Sequence, residues 1–197
     1  MTDLLLATTN AGKRREFGRL LAHLPGRIVG PDEVGVDLDV PEPFHTYHEN
    51  ARAKADAYAR ASGLLTLADD SGLEVAALDW GPGVRTGRYG GPEVGDKVEY
   101  LLEQLRDVTD RRCRMVCVLA LAIPGAGAPR IELFSGVVQG IVATRPRCEG
   151  GFGYDPIFLL PAGITTAELP EDEKDRLSHR GRAVQAATPR LVELLAG

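Results

Sequence analysis

A short apolar run, Leu4-Leu5-Leu6, leads into TTNAGK and then into Phe17, Leu20, Leu21 and Leu24 at helical spacing. That order commits the start of the chain to a strand, a polar turn and an amphipathic helix. Such turns build α/β sheets, and they leave the first N–H groups of the helix free to receive an anion. Thr8, Thr9 and Asn10 add polar donors, Gly12 permits close approach, and Lys13 supplies a cation. The P-loop pattern, set on Gly12-Lys13, would need glycine at Ala7 and a hydroxyl at Arg14, so the turn is not a P-loop. An ordinary βα turn capped by Asn10, with a solvated lysine, is the competing reading.

A chain of 197 residues suits one domain, 1–197, with a proper core. Its net charge of −5 argues against a protein that coats nucleic acid, which needs a broad basic surface. No stretch approaches the roughly 18 apolar residues of a membrane span, and the N-terminal run lacks the basic flank of a signal peptide. A cytoplasmic protein with no membrane partner is expected. Cys113, Cys117 and Cys148 are odd in number and lack CxxC spacing, so neither a disulfide framework nor a zinc site is indicated.

Along the chain, RIVG reads as a second strand, followed by the irregular acidic segment 31–44, where Glu42 stands between two prolines. Residues 45–62 read as a helix with Asn50 and Lys54 adjacent at i,i+4, and Gly63 closes it. LLTLADDSGLEV reads as a strand running into a turn at Asp69, Asp70, Ser71 and Gly72. Neighbouring strand residues point to opposite faces, so one aspartate would serve a site and the other brace the turn. A glycine-rich loop over 78–93 precedes an amphipathic helix over 93–108. Two apolar strands, 113–123 and 131–142, then form a long hairpin. In EGGFGYDPIF, Phe152 and Tyr154 either offer an aromatic surface beside Asp155 or fill the core. The closing segment carries Lys174, His179, Arg180 and Arg182 about a helix start at Ser178, and Pro189 should kink or restart that helix.

Five motifs, TTNAGKRRE, TYHENARAKA, LADDSGL with PGVRTGRYGG, GGFGYDP and EKDRLSHRG, together span almost the whole chain. In this order they resemble the inosine triphosphatase family, pyrophosphatases that clear aberrant purine nucleoside triphosphates. The resemblance implies an α/β fold with a mixed sheet and two lobes around a central active-site cleft. It further implies a homodimer that uses Mg2+ to hydrolyse a nucleotide substrate (dITP, ITP or XTP) to monophosphate and pyrophosphate. By motif, Thr8, Thr9, Asn10, Ala11, Gly12 and Lys13 resemble the triphosphate cradle, and Lys54 a catalytic cation. Asp70 resembles the general base and metal ligand, Glu42 the other metal carboxylate, and Ser71 a substrate contact. Phe152, Gly153, Tyr154 and Asp155 resemble the base pocket, with Lys174, His179 and Arg180 completing the substrate contacts. The chain departs from the family where a small residue is common two places after the glutamate: it has Phe44, preceded by Pro43.

The chemistry agrees with these roles, since attack at the α-phosphorus needs a positioned water and cations to stabilise the departing pyrophosphate. Two other readings remain at this stage. One is a pyrophosphatase of the septum-formation-protein type, whose opening is serine- and arginine-rich. The other is a nucleotide sensor without catalysis, against which Glu42, Asp69 and Asp70 speak.

Overall fold

The first strand, β1 (Asp3–Leu6), runs into helix α1 (Ala11–Leu20), whose N-cap Asn10 accepts the Lys13 backbone N–H through its side chain. That capping satisfies one of the N–H groups a helix start leaves free. The computed structural model describes residues 2–91, 94 and 96–196. Strand β2 (Arg27–Val29) pairs parallel to β1 with Ile28 opposite Leu4. Helix α2 (Tyr47–Ser62) opens with a capping box: the Glu49 N–H donates to the Thr46 hydroxyl oxygen, and that hydroxyl donates to the Glu49 carboxylate. Gly63 closes α2 at φ +70°, a conformation open to glycine at little cost.

Strand β3 (Leu65–Val75) pairs parallel to β1. It runs straight through Asp69, Asp70, Ser71 and Gly72, so the turn expected there is absent. Adjacent carboxylates break a strand only if they lack partners, and here each is received by donors on its own face of the sheet. The two-residue strand β4 (Gly81–Pro82) pairs antiparallel to β3, and the loop around it carries short 3₁₀ turns, Ala76–Leu78 and Gly83–Arg88. Helix α3 (Lys97–Gln104) is capped by Asp96; the expected start of this helix at Glu93, with Gly95, and the loop residue Pro92 lie outside the described residues.

Strands β5 (Arg112–Ile123) and β6 (Arg130–Val142) are sheet neighbours, as the hairpin reading requires. Strand β7 (Phe158–Leu159) pairs antiparallel to β6. The strand order is β2-β1-β3-β5-β6-β7, with β4 on β3, which makes the sheet mixed. Helices α4 (Glu171–Leu177) and α5 (His179–Ala196) end the fold, with Ser178 between them. The restart expected at Pro189 does not occur. Pro189 lies on the exposed side of α5, while Ala187 and Leu191 on the other side are buried and hold the helix through it.

The chain forms two compact units. The first takes in the chain up to Asp70, Cys117–Gly136 and the chain from Arg180; the second takes in Ser71–Val116 and Val137–His179. In the first, Leu4, Leu6, Phe17, Leu67, Leu119, Leu121, Val184 and Leu191 share a core, and each such side chain contributes about 1.5–3 kcal/mol by leaving water. In the second, Leu73, Val75, Leu101, Leu105, Met115, Val138, Ile157 and Phe158 do the same. No helix of the described residues is long and apolar enough to cross a membrane.

The cysteines divide by burial. Burial raises the Cys113 thiol to about 12 and pushes Cys117 further up, whereas Cys148 is exposed. Since the thiolate is the nucleophile, a maleimide at neutral pH should label Cys148 in the native protein and reach Cys113 and Cys117 only after denaturation. Mass spectrometry of the labelled peptides reads this, and native labelling of Cys117 would contradict the packing of the first core.

Candidate active site

Pairing β1 parallel to β3 brings the turn 8–13 beside the end of the LADD stretch. Thr8 is buried and its hydroxyl oxygen accepts the Asn10 N–H, while Thr9, Asn10 and Ala11 are exposed and Gly12 is half-buried. The Lys13 ammonium lies 2.8 Å from the Asp69 carboxylate, itself only 1% exposed. Arg180 lies 4.0 Å from the same Asp69 oxygen, and its guanidinium reaches Glu16 on α1 at 3.1 Å. Cation and anion thus alternate through the first unit in the order Lys13, Asp69, Arg180, Glu16. Burial alone would raise the Asp69 carboxyl, but Lys13, Arg180 and Lys54 overcome it and hold the group well below the usual carboxylate range. Asp69 therefore does not brace a turn: it orients the lysine of the 8–13 turn.

Asp70, the next residue of β3, points the opposite way, as the pleat dictates. Its carboxylate accepts a hydrogen bond from the Asn50 amide at 3.0 Å. Burial pushes the Asp70 carboxyl up to about 6; Asn50, Lys13 and Lys54 pull it down, and the charge of Glu42 adds to the rise. Glu42 is ion-paired to Lys54, whose ammonium also donates to the Asp69 carbonyl oxygen at 3.0 Å. Burial would lower the Lys54 ammonium, but Asp69, Glu42 and Asp70 raise it above its ordinary value, so it stays charged. The i,i+4 repeat of α2 is what aligns these groups: Asn50, Lys54 and Tyr58 lie along one side of the helix. All three hold the 37–44 segment, Tyr58 by donating its hydroxyl to the Leu38 carbonyl oxygen at 2.9 Å.

In the second unit the glycine-rich turn is folded around Asp155. Its carboxylate accepts from the Phe152 N–H at 2.8 Å, the Thr166 hydroxyl at 2.9 Å and the buried Lys174 ammonium at 2.7 Å. Gly151, at φ +73°, presses against this carboxylate, and a Cβ there would meet it at 2.3 Å. Tyr154 is buried in the second core and donates to the Thr86 carbonyl oxygen at 3.4 Å. Phe152 is half-buried with the Lys174 ammonium 5.0 Å from its ring centre, and Gly153 is exposed. Ser71 is half-buried in β3, and His179 is buried at the first turn of α5.

The geometry brings the cradle residues, Lys13, Lys54, Glu42, Asp70 and Arg180 into the first unit, and Ser71, Phe152, Gly153, Tyr154, Asp155, Lys174 and His179 into the second. Three participants were not singled out from the sequence as site residues: Asn50, Glu16 and Asp69. The signal for Glu16 was its place one residue before the buried Phe17 on α1, where a carboxylate needs a cation. Among the described residues, no group of three or more His, Cys, Asp and Glu side chains gathers as a metal site. The pair Glu42 and Asp70 remains, an all-oxygen donor set.

A mixed α/β fold whose βα turn sets a lysine and free helix N–H groups at the end of a parallel strand is the arrangement in which α/β proteins hold anions. The Ham1 family model matches residues 4–190, and the chain belongs to that family. It is 47% identical over 184 residues to a dITP/XTP pyrophosphatase of Syntrophobacter fumaroxidans, covering 92% of this chain and 78% of that one. A protein of the same name from Staphylococcus epidermidis is 42% identical, with 94% of each chain covered. Among solved structures, a HAM1 protein from Coxiella burnetii superposes with a TM-score of 0.87 at 39% identity, over 98% of this chain and 100% of that one.

Proposed function

We propose that this chain is a dITP/XTP pyrophosphatase, which hydrolyses dITP, ITP and XTP to the monophosphate and pyrophosphate. The observation that carries the reading is the pair of neighbouring aspartates on β3. One orients a lysine of the phosphate-type turn, and the other, Asp70, is buried near the charge of Glu42 and has its own pKa raised to about 6. We take residues 1–197 as one catalytic domain, working as a cytoplasmic homodimer, the form that the resemblance implies.

In this reading the 8–13 turn binds the phosphates through Thr8, Thr9, Asn10, the Ala11 and Gly12 backbone, and Lys13. Lys54, kept charged by its carboxylate neighbours, stabilises the negative charge that grows as the pyrophosphate leaves. A water oxygen attacks the α-phosphorus, the bond from that phosphorus to the bridging oxygen breaks, and Asp70 accepts the proton of the water. In the metal-free protein burial raises the Asp70 carboxyl to about 6, which makes it a better base than one at its ordinary value. In the second unit the half-exposed Phe152 offers a face to the purine. Asp155 and Tyr154 fix the turn that presents it, and the Lys174 ammonium lies 5.0 Å from its ring centre. Ser71, His179 and Arg180 complete the substrate contacts, with donors suited to the 6-oxo group that hypoxanthine and xanthine carry and adenine lacks.

The donor set fits a hard divalent cation. Glu42 and Asp70 would be its oxygen ligands: their like charges repel each other, and magnesium is commonly held by one or two carboxylates together with substrate phosphates. Magnesium, when bound, supplies a Lewis acid that draws charge from the phosphate oxygens.

The test is a nucleotide panel assayed with and without Mg2+, with product analysis. Expected are monophosphate and pyrophosphate from dITP, ITP and XTP, much slower turnover of ATP and GTP, and no turnover after chelation. Stepwise release of orthophosphate, or equal rates on ATP, would overturn the proposal.

A further inference from the structure

The Glu42-bearing segment has no regular secondary structure, yet its place relative to β3 must be fixed if Glu42 and Asp70 are to act on one ligand. Lys54 links Glu42 to the Asp69 backbone carbonyl, and Asn50 links the segment to the Asp70 side chain itself. Asn50, 1% exposed, accepts the Phe44 N–H at 3.1 Å through its amide oxygen. Its amide nitrogen donates to the Phe44 carbonyl oxygen at 3.4 Å and to Asp70 Oδ2 at 3.0 Å. The chemistry admits one orientation. Turning the amide over would set N–H against the Phe44 N–H and oxygen against the Asp70 carboxylate, so donor and acceptor cannot be exchanged.

We propose that Asn50 is a positioning residue, which sets the distance between Glu42 and Asp70 by bonding the backbone of Phe44, two residues after Glu42, to the side chain of Asp70. The proposal rests on the reading that these two carboxylates work together. The segment is pinned on the same helix by Tyr58 at Leu38 and by Lys54 at Glu42, so Asn50 adds the third point, and its amide also bonds the Asp70 carboxylate. Two points leave a segment free to pivot about the line joining them; a third fixes it. The arrangement leaves the Phe44 side chain out of the tie. Asn50 reads only the backbone there, and the ring is turned outward, 41% exposed, over a groove lined by Arg52, Asp56 and Ile131.

Asn50→Leu keeps the volume and removes every polar contact, while Asn50→Gln keeps the amide but moves it by one methylene. Both should lower kcat on dITP about 10- to 100-fold, the range for partners of metal ligands, with KM changed less than about threefold. Both should weaken Mn2+ binding to the nucleotide-free protein by about tenfold or more, read from the free Mn2+ signal in electron paramagnetic resonance. The Phe44 amide should exchange faster with deuterium in both. A purely structural asparagine predicts something else: Asn50→Gln would recover kcat as far as it recovers melting temperature. Phe44→Ala should keep kcat within about threefold of the parent, because the backbone contact survives. Unchanged Mn2+ affinity in Asn50→Gln, or kcat restored in step with stability, would overturn the proposal, and Asn50→Gln carries the test if Asn50→Leu does not fold. A parent protein inactive on dITP would sink the proposed function alone, since Mn2+ binding and exchange at Phe44 still decide the role of Asn50.

Discussion

Asp70→Asn should fold, melt at a higher temperature than the parent, and turn over dITP at least about a hundredfold more slowly. The loss follows from removing the group that accepts the proton of the water and one of two carboxylates offered to the metal. The gain follows from burial. A carboxyl whose folded value is raised to about 6 from an ordinary 3.8 is one the fold would rather keep neutral. At pH 7 the charge therefore costs on the order of 1–3 kcal/mol in the metal-free protein. The asparagine oxygen can still accept from Asn50, so the substitution discards the charge and keeps the hydrogen bond. For a chain of this size that is a rise of several degrees in Tm. The sign with pH is fixed: the gap is full above about 6, shrinks as the pH falls and the folded Asp70 takes up its proton, and closes below about 4. Thermal melts of both metal-free proteins across this range, with single-turnover kinetics at saturating Mg2+, provide the test. Near-normal turnover, or a Tm below that of the parent at pH 7, would show that Asp70 is neither base nor strained.

This opposition of stability and function is what made part of the site hard to read in sequence. Periodicity alone located α1, α2, β3 and the hairpin, because each buries an apolar stripe or face whose spacing is local. It failed where distant partners decide. Asp69-Asp70-Ser71-Gly72 has the composition of a turn, and it stays extended only because Lys13 and Arg180 on one side and Asn50 on the other arrive from elsewhere in the chain. Pro189 was expected to kink or restart α5, and the helix does not restart there, because the buried Ala187 and Leu191 carry it through. Motif order supplied the family, while the division of labour between the two aspartates needed coordinates. Strand alternation predicts that they diverge, but which of them meets cations and which meets an amide is a matter of tertiary packing.

Asp69→Asn should show the reverse of Asp70→Asn. Asp69 is 1% exposed and sits between Lys13 and Arg180, so its charge is compensated and theirs depend on it. Removing one member of a buried charge set leaves the others without their counter-charge, at a cost of about 3–5 kcal/mol. In a chain of this length that lowers Tm on the order of 10 °C. The folded Asp69 is held well below its ordinary value, so the stability it contributes is complete above about pH 4 and is lost only as the pH falls further. The Tm deficit of Asp69→Asn should accordingly persist through neutral pH and close only in strong acid, opposite in sign to the gap for Asp70. Turnover per folded molecule should fall by about tenfold, less than for Asp70→Asn, because a loosened Lys13 still carries its charge to the phosphates. Lys13→Met, which removes the cation itself, should lose more stability in the parent than in Asp69→Asn, and the difference in a double-mutant cycle measures their coupling. Additive losses, or a larger catalytic defect in Asp69→Asn than in Asp70→Asn, would mean that Asp69 is the carboxylate that meets the substrate.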